Sequence, residues 1–364
     1  MSKLLATIGI DIGSSSVKVG AFDKKGNQLM YQSEPYPTYR LHNGKIEQNP
    51  EHWISCIRNA FKSFIKNGIH NVDAISFCAQ VNTHIFVDKT GKNLLPAIFW
   101  QDVRAHEESA ELETMVSEEQ KIAWWGTPMP IDSSHILSRM LWVKRNEPEV
   151  WEKTRYVLLP KDYCLFKLTG ECFTDPLSNI GLVNNNSDYI YEVLNLVEGA
   201  SERMASIRSI SDHVGNIIWS DTYSNSKVIN GSMDAWMGLV GAGVSKNNTV
   251  AYLSGTSEIL GINSKKLIPT NGVILFPEFH NVKLHAGPTQ SGGASKLWFC
   301  DLFQIKPEQM EKLAKTALSK NSCPIFLPHL QGERAPIWQS HLSGVFFGLN
   351  TKTDRKDLAR SVYE

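Results

Sequence analysis

Apolar side chains in the first part of the chain come in short runs that end on turn residues. Ala6-Thr7-Ile8-Gly9-Ile10 is apolar, Val17-Lys18-Val19-Gly20-Ala21-Phe22 alternates with period two, and Leu29-Met30-Tyr31 resumes after Lys24-Lys25-Gly26-Asn27. Such runs bounded by turns predict strands joined as a meander. The period then lengthens. Trp53, Ile54, Ile57, Phe61, Phe64 and Ile65 recur at helical spacing, with Asn49 as N-cap, Pro50 at the first helical position, Glu51 in the first turn and Asn67-Gly68 as the stop. Ala74-Ile75-Ser76-Phe77-Cys78 follows as a short buried strand. Strands, a helix and a further strand in this order match ribonuclease-H-like folds.

A second opening of this kind begins near residue 250. Thr249-Val250-Ala251-Tyr252-Leu253 is β-prone and ends in Ser254-Gly255-Thr256-Ser257, a small-residue turn like Gly13-Ser14-Ser15-Ser16. Gly241-Ala242-Gly243-Val244-Ser245 reads as a linker, which predicts domains at 1–243 and 244–364. The last residues, Asp354 to Glu364, pattern as a helix with Leu358, Ser361 and Val362 on one face and no C-cap after it. A chain truncated inside an element is the expectation.

Composition narrows the function classes. The 364 residues have room for two cores, and 37 Lys+Arg against 37 Asp+Glu give no net charge, which argues against a nucleic-acid partner. No apolar run approaches the roughly 20 residues that span a bilayer, so no membrane partner is expected. The start, from Met1 to Gly9, runs straight into Asp11 without the long apolar region of a signal peptide, which predicts a cytoplasmic protein. The six cysteines form no Cys-x-x-Cys pair and read as buried reduced thiols; the eleven histidines show no metal-ligand spacing. Trp124, Trp125, Trp151 and Trp219 read as packing residues.

One segment carries chemistry on its own. Asp11-Ile12-Gly13-Ser14-Ser15-Ser16-Val17-Lys18 ends a predicted strand with a turn that offers backbone N–H groups and hydroxyls to phosphate, beside a carboxylate able to hold Mg²⁺. A plain hairpin turn fits the same residues. No P-loop and no dinucleotide-binding Gly-x-Gly-x-x-Gly occurs.

Further blocks carry a resemblance: Trp100-Gln101-Asp102-Val103-Arg104; Leu158 to Tyr163 with Leu168 to Glu171 and Thr174-Asp175; Leu327 to Pro336; and Gly344 to Leu349 with Asp357-Leu358 and Ser361 to Glu364. Together they resemble the FGGY family of carbohydrate kinases, its xylulokinase-like members in particular. The segment Ser134 to Trp142 departs from the family pattern, with Arg139 where Lys is usual and Ile136 where a small residue or Pro is usual.

The resemblance implies an α/β fold: two ribonuclease-H-like domains of the actin, hexokinase and heat-shock-chaperone type with a cleft between them, the second truncated. An N-terminal domain, 1–243, would bind sugar and a C-terminal one, 244–364, ATP. Asp234, in Gly231-Ser232-Met233-Asp234-Ala235-Trp236, would be the general base, and a helix starting at Ala235 is expected to lower its pKa and keep it ionised. Gly13, Ser14, Ser15, Lys18, Gly255, Thr256 and Gly293 would contact the nucleotide, and Asp11 and Asp234 the Mg²⁺. Gln80, Asn82, Trp100, Asp102, Arg104 and Trp236 would meet the sugar; Val81 and Asn82 differ from the xylulokinase Gln-Met-His-Gly segment. The implied activity is ATP-dependent phosphorylation of a small sugar or polyol, a ketopentose such as xylulose first, with gluconate, ribulose, glycerol or erythritol as alternatives. Two other readings stay open, a nucleotide-driven switch that hydrolyses ATP without sugar and a sugar-binding but inactive truncated kinase. A homodimer is an open expectation.

Overall fold

The computed structural model describes residues 5–218, 221–246, 248–317, 323–339 and 341–364. The chain divides into two compact units, Met1–Trp125 with Pro130–Gly238, and Gly126–Met129 with Leu239–Glu364. Trp219 lies outside the described residues, as do Met1 to Leu4.

The first unit is built on β1 (Ala6–Ile12), β2 (Ser16–Asp23), β3 (Gln28–Pro35), α1 (Pro50–Lys66), β4 (Val72–Ala79), α2 (Ile136–Asn146), α3 (Pro160–Thr169), β5 (His213–Asn216) and β6 (Lys227–Met233), and α4 (Asp234–Gly241) follows directly. The strands form one sheet in the order β5-β6-β4-β1-β2-β3. The predicted meander is present, with β1 antiparallel to β2 and β2 to β3, while β1, β4 and β6 run parallel. Ala6, Ile8, Ile10 and Ile12 of β1 are all buried. Alternation explains it: successive side chains face opposite sides, and this set faces α1. The helix buries Trp53, Ile54, Ile57, Phe61 and Phe64 in the same core, each contributing about 1.5–3 kcal/mol. Its start is the expected one, with the Asn49 side chain accepting from Glu51 N at 3.0 Å. Trp125 and Trp151 are buried.

The second unit holds β7 (Thr249–Ser254), β8 (Glu258–Asn263), β9 (Ile274–Leu275), β10 (Leu284–Pro288), α5 (Gly293–Leu302), α6 (Pro307–Thr316), β11 (Ile325–Leu327), β12 (Val345–Phe347) and α7 (Arg355–Tyr363). One sheet runs β7-β8-β10-β9, antiparallel throughout. A separate core gathers Phe299 and Cys300 of α5, Met310 and Ala314 of α6, and Ala359 and Val362 of α7. Asp354 caps α7 by accepting from Lys356 N at 2.7 Å. Ser361 is on the packed side too, its hydroxyl donating to Pro324 O. Among the described residues, no helix is long and apolar enough to cross a membrane.

Candidate active site

Because β1, β4 and β6 are parallel, their carboxyl ends share one edge, where ligands collect in sheets of this kind. The register aligns Asp11 with Cys78 and Cys78 with Ser232. Asp11 is the penultimate residue of β1, level with Ser232 two strand spacings or about 10 Å away, and Asp234 directly follows β6 on the same edge. Gly231 makes this end possible. It sits at φ +74°, and a Cβ there would lie 1.9 Å from the Phe77 carbonyl oxygen.

Asp234 Oδ1 accepts from Ala235 N at 2.7 Å. Its pKa moves opposite to the sequence expectation. Burial pushes it up to about 7; the Ala235 N–H pulls it down and Asp11 pushes it further up. Desolvating a carboxylate outweighs the one backbone donor of the helix start. The group is poised near neutrality rather than held ionised.

Asp11 Oδ2 bonds Lys18 Nζ at 2.9 Å across the hairpin, and Asp11 Oδ1 is buried with no hydrogen-bond partner. The turn between them is a tight hairpin turn, closed by Gly13 N to Ser16 O at 3.1 Å. Its carbonyls are held from the protein side: Gly13 O accepts from the Tyr36 hydroxyl, Ser14 O from Gln48 Nε2 at 2.9 Å, and Ser15 O from Tyr36 N at 3.2 Å. Ser15 is exposed.

In the second unit, Gly255, Thr256 and Gly293 do come together. Gly293 N donates to Gly255 O at 2.9 Å and Ala294 N to Thr256 O at 3.0 Å, seating the start of α5 on the turn. A Cβ at Gly293 would fall 2.5 Å from Gly255 O, so this approach requires glycine. Glu333 steadies the segment before α5, its Oε1 accepting from Gln290 N at 2.7 Å.

The predicted sugar residues divide. Trp100 is half-buried and donates its indole N–H to Ser14 Oγ at 3.0 Å. Asn82 is half-buried at φ +56°, its amide reaching Ser134 Oγ at 3.3 Å. Gln80 is buried and donates to Gln48 Oε1 at 2.9 Å. Asp102, Arg104 and Trp236 do not present themselves to a ligand. Asp102 is 1% exposed, and its carboxylate is taken up by Ile46 N at 2.5 Å and by Arg104 N, Nε and Nη2 at 2.8–3.0 Å. Arg104 also bonds Glu47 at 2.7 Å and lies over the Trp142 ring. The Trp-x-Asp-x-Arg spacing thus forms an internal ion pair. Trp236 is 1% exposed, so both ring faces are covered by protein.

A buried network beside the strand that leads to Asp234 has no counterpart in the sequence-based expectations. Lys161 Nζ of α3 meets Asp162 Oδ1 at 2.7 Å, Asn230 Oδ1 at 3.0 Å and Asp175 Oδ2 at 3.4 Å. Asp175 Oδ1 accepts from Ser232 Oγ at 2.7 Å, two residues before Asp234. Burial opposes the Lys161 charge, but Asp162 and Asp175 more than offset it and raise its pKa. The network anchors β6 up to Ser232, two residues before Asp234.

Residues 6–241 match the N-terminal domain of the FGGY family of carbohydrate kinases, and residues 250–364 match its C-terminal domain. The chain belongs to the FGGY family of carbohydrate kinases. A xylulose kinase from Staphylococcus epidermidis is 28% identical, the alignment covering 98% of this chain and 74% of that protein. Two solved structures have the same fold. Xylulose kinase from Lactobacillus acidophilus matches with TM-score 0.87 at 24% identity over 99% of this chain and 75% of that one. Plasmodium falciparum glycerol kinase with ADP matches with TM-score 0.84 at 21% identity over 99% and 76%. The expected two-domain sugar-kinase fold and enzyme class are borne out. Among the described residues, no three or more His, Cys, Asp or Glu side chains converge as a metal cage.

Proposed function

We propose that this FGGY kinase transfers the γ-phosphoryl group of ATP to a hydroxyl of a ketopentose such as xylulose, with Asp234 as general base. The observation that carries the reading is the Asp234 carboxyl, poised near pH 7 at the ligand-collecting edge of the sheet. A base works best with its pKa close to the working pH. The sugar hydroxyl gives its proton to the Asp234 carboxylate as its oxygen forms the bond to the γ-phosphorus. The bond from that phosphorus to the bridging oxygen breaks, and its electron pair leaves on ADP. Phosphoryl transfer otherwise needs positioning and charge neutralisation.

Asn82 and Trp100 border the sugar, and the Asp102–Arg104 pair serves as scaffold behind Trp100. The Gly13–Ser15 turn and Lys18 face phosphate in the first unit. In the second, the Gly255–Thr256 turn seated on Gly293 offers amides and a hydroxyl to the same kind of group. Asp11 fits a Mg²⁺ ion, because its Oδ1 is buried without a partner and two carboxylates alone leave the remaining positions to phosphate oxygens and water. When bound, that ion neutralises phosphate charge.

The test is ADP release measured against a panel of xylulose, ribulose, gluconate, glycerol and erythritol. Xylulose should stimulate most. No stimulation by any member overturns the reading.

A further inference from the structure

We infer that Arg139 is a positioning residue for sugar selection, holding the loops 80–84 and 98–102 in one fixed relation; the choice of sugar as ligand rests on the reading above. Arg139 lies on α2 and is 0% exposed. Nη1 donates to Asn82 O and to Ile98 O at 2.9 Å, and meets His84 Nδ1 at 2.9 Å. Nη2 donates to Phe99 O at 2.6 Å and reaches Asp102 O at 3.4 Å. One guanidinium thus bonds the main chain of both loops. Those loops carry Asn82 and Trp100, the two predicted sugar residues that keep some exposure. They are further tied by His84 N to Ile98 O and Ile98 N to His84 O, both at 3.0 Å, and by Trp100 N to Thr83 Oγ1 at 3.1 Å.

The energetics point to geometry as the reason for this residue. A cation taken fully out of water costs several kcal/mol, and among the described residues no carboxylate touches this one. Burial pulls its pKa down to about 10, while Asp102 and Asp132 act only from a distance. Asp102 is already engaged by Arg104. His84 accepts as a neutral ring, because burial and the adjacent Arg139 hold its pKa well below the usual histidine value. An apolar side chain would fill the same space with less desolvation. What an apolar group lacks is a planar fork whose two ends satisfy carbonyls in separate loops. A lysine ammonium, a single compact donor centre, lacks it as well.

The test compares wild type with Arg139→Lys, and with Arg139→Met as a second variant. Arg139→Lys should raise the sugar KM roughly tenfold, a loss of about 1.4 kcal/mol, and change the ranking of sugars in the panel while the ATP KM stays within about twofold. Both KM values and the ranking unchanged in Arg139→Lys would overturn the inference, as would equal rises in both KM values. A second readout needs no turnover. Amide hydrogen exchange in peptides covering 80–84 and 98–102 should quicken in both variants, with peptides covering β1 unaffected; unchanged exchange in the two loops overturns the inference. An inactive wild type would refute the kinase reading alone, and the exchange measurement would still decide the role of Arg139.

Discussion

Replacing Asp234 by Asn should abolish turnover and stabilise the protein at the same time. The asparagine Oδ1 can still accept from Ala235 N, so the helix start keeps its bond. What disappears is a buried carboxylate whose pKa stands at about 7 against the ordinary 3.8. Those roughly three units amount to about 4 kcal/mol at 1.36 kcal/mol each. The sign follows from proton binding. The folded state takes the proton near pH 7 and the unfolded chain only near 3.8, so this contribution to stability is fully present below the lower value and is lost as pH rises through the upper one. Asparagine does not titrate. Its advantage over aspartate should therefore grow by about 3 kcal/mol from about pH 5 to about pH 8, and water at the partly accessible carboxyl trims this to about 2 kcal/mol. Urea unfolding of both proteins at the two pH values measures it, alongside ADP release with xylulose. Loss of the base should lower kcat at least about a hundredfold. A stability difference that ignores pH, or a variant that turns over near the wild-type rate, would refute the reasoning.

Three further substitutions probe separate parts of the site. Asp11→Asn should raise the Mg²⁺ concentration for half-maximal activity at least about tenfold, read from a magnesium titration; an unchanged titration would remove Asp11 from the ion. Ser232→Ala takes a donor from the buried Asp175 carboxylate and should cost about 1–3 kcal/mol in unfolding free energy and lower kcat, with the ATP KM unchanged. Gly293→Ala places a methyl 2.5 Å from Gly255 O, so the turn must shift, and the ATP KM should rise while the sugar KM holds. Nucleotide and sugar titrations separate the two effects.

The legible parts of this chain are those with local causes. Asn49 and Pro50 mark the start of α1 because capping uses neighbouring groups only, and the meander shows because alternation and turns are short-range. The turn at Ser254–Ser257 is readable for the same reason. The predicted sugar residues that turn inward depend on distant partners. Trp-x-Asp-x-Arg looks alike whether Asp102 and Arg104 face a ligand or each other, and Ile46 and Glu47, which complete the internal pairing, lie far back in sequence. The Asp234 pKa was expected to fall because a helix start can be read from sequence whereas the burial that outweighs it cannot. Arg139 left a usable trace. It shares a helical face with Ile136, Met140 and Val143, all buried, and a lone cation on an apolar stripe implies a buried partner set.

The Lys161 network has a consequence for how this protein can change over generations. Lys161, Asp162 and Asp175 sit together out of water, and loss of Lys161 would leave two buried carboxylates without their shared cation, a defect of about 3–5 kcal/mol for a broken buried pair. A single step at Lys161 therefore passes through a badly folded intermediate, and concerted replacement of the trio is the route to an uncharged alternative. Since Ser232 bonds to this trio two positions ahead of Asp234, the stretch of chain before the base inherits the same constraint. The loops 80–84 and 98–102 are held instead through main-chain carbonyls by the single Arg139, so their side chains can change without breaking its bonds while the Asp234 end of β6 stays as it is.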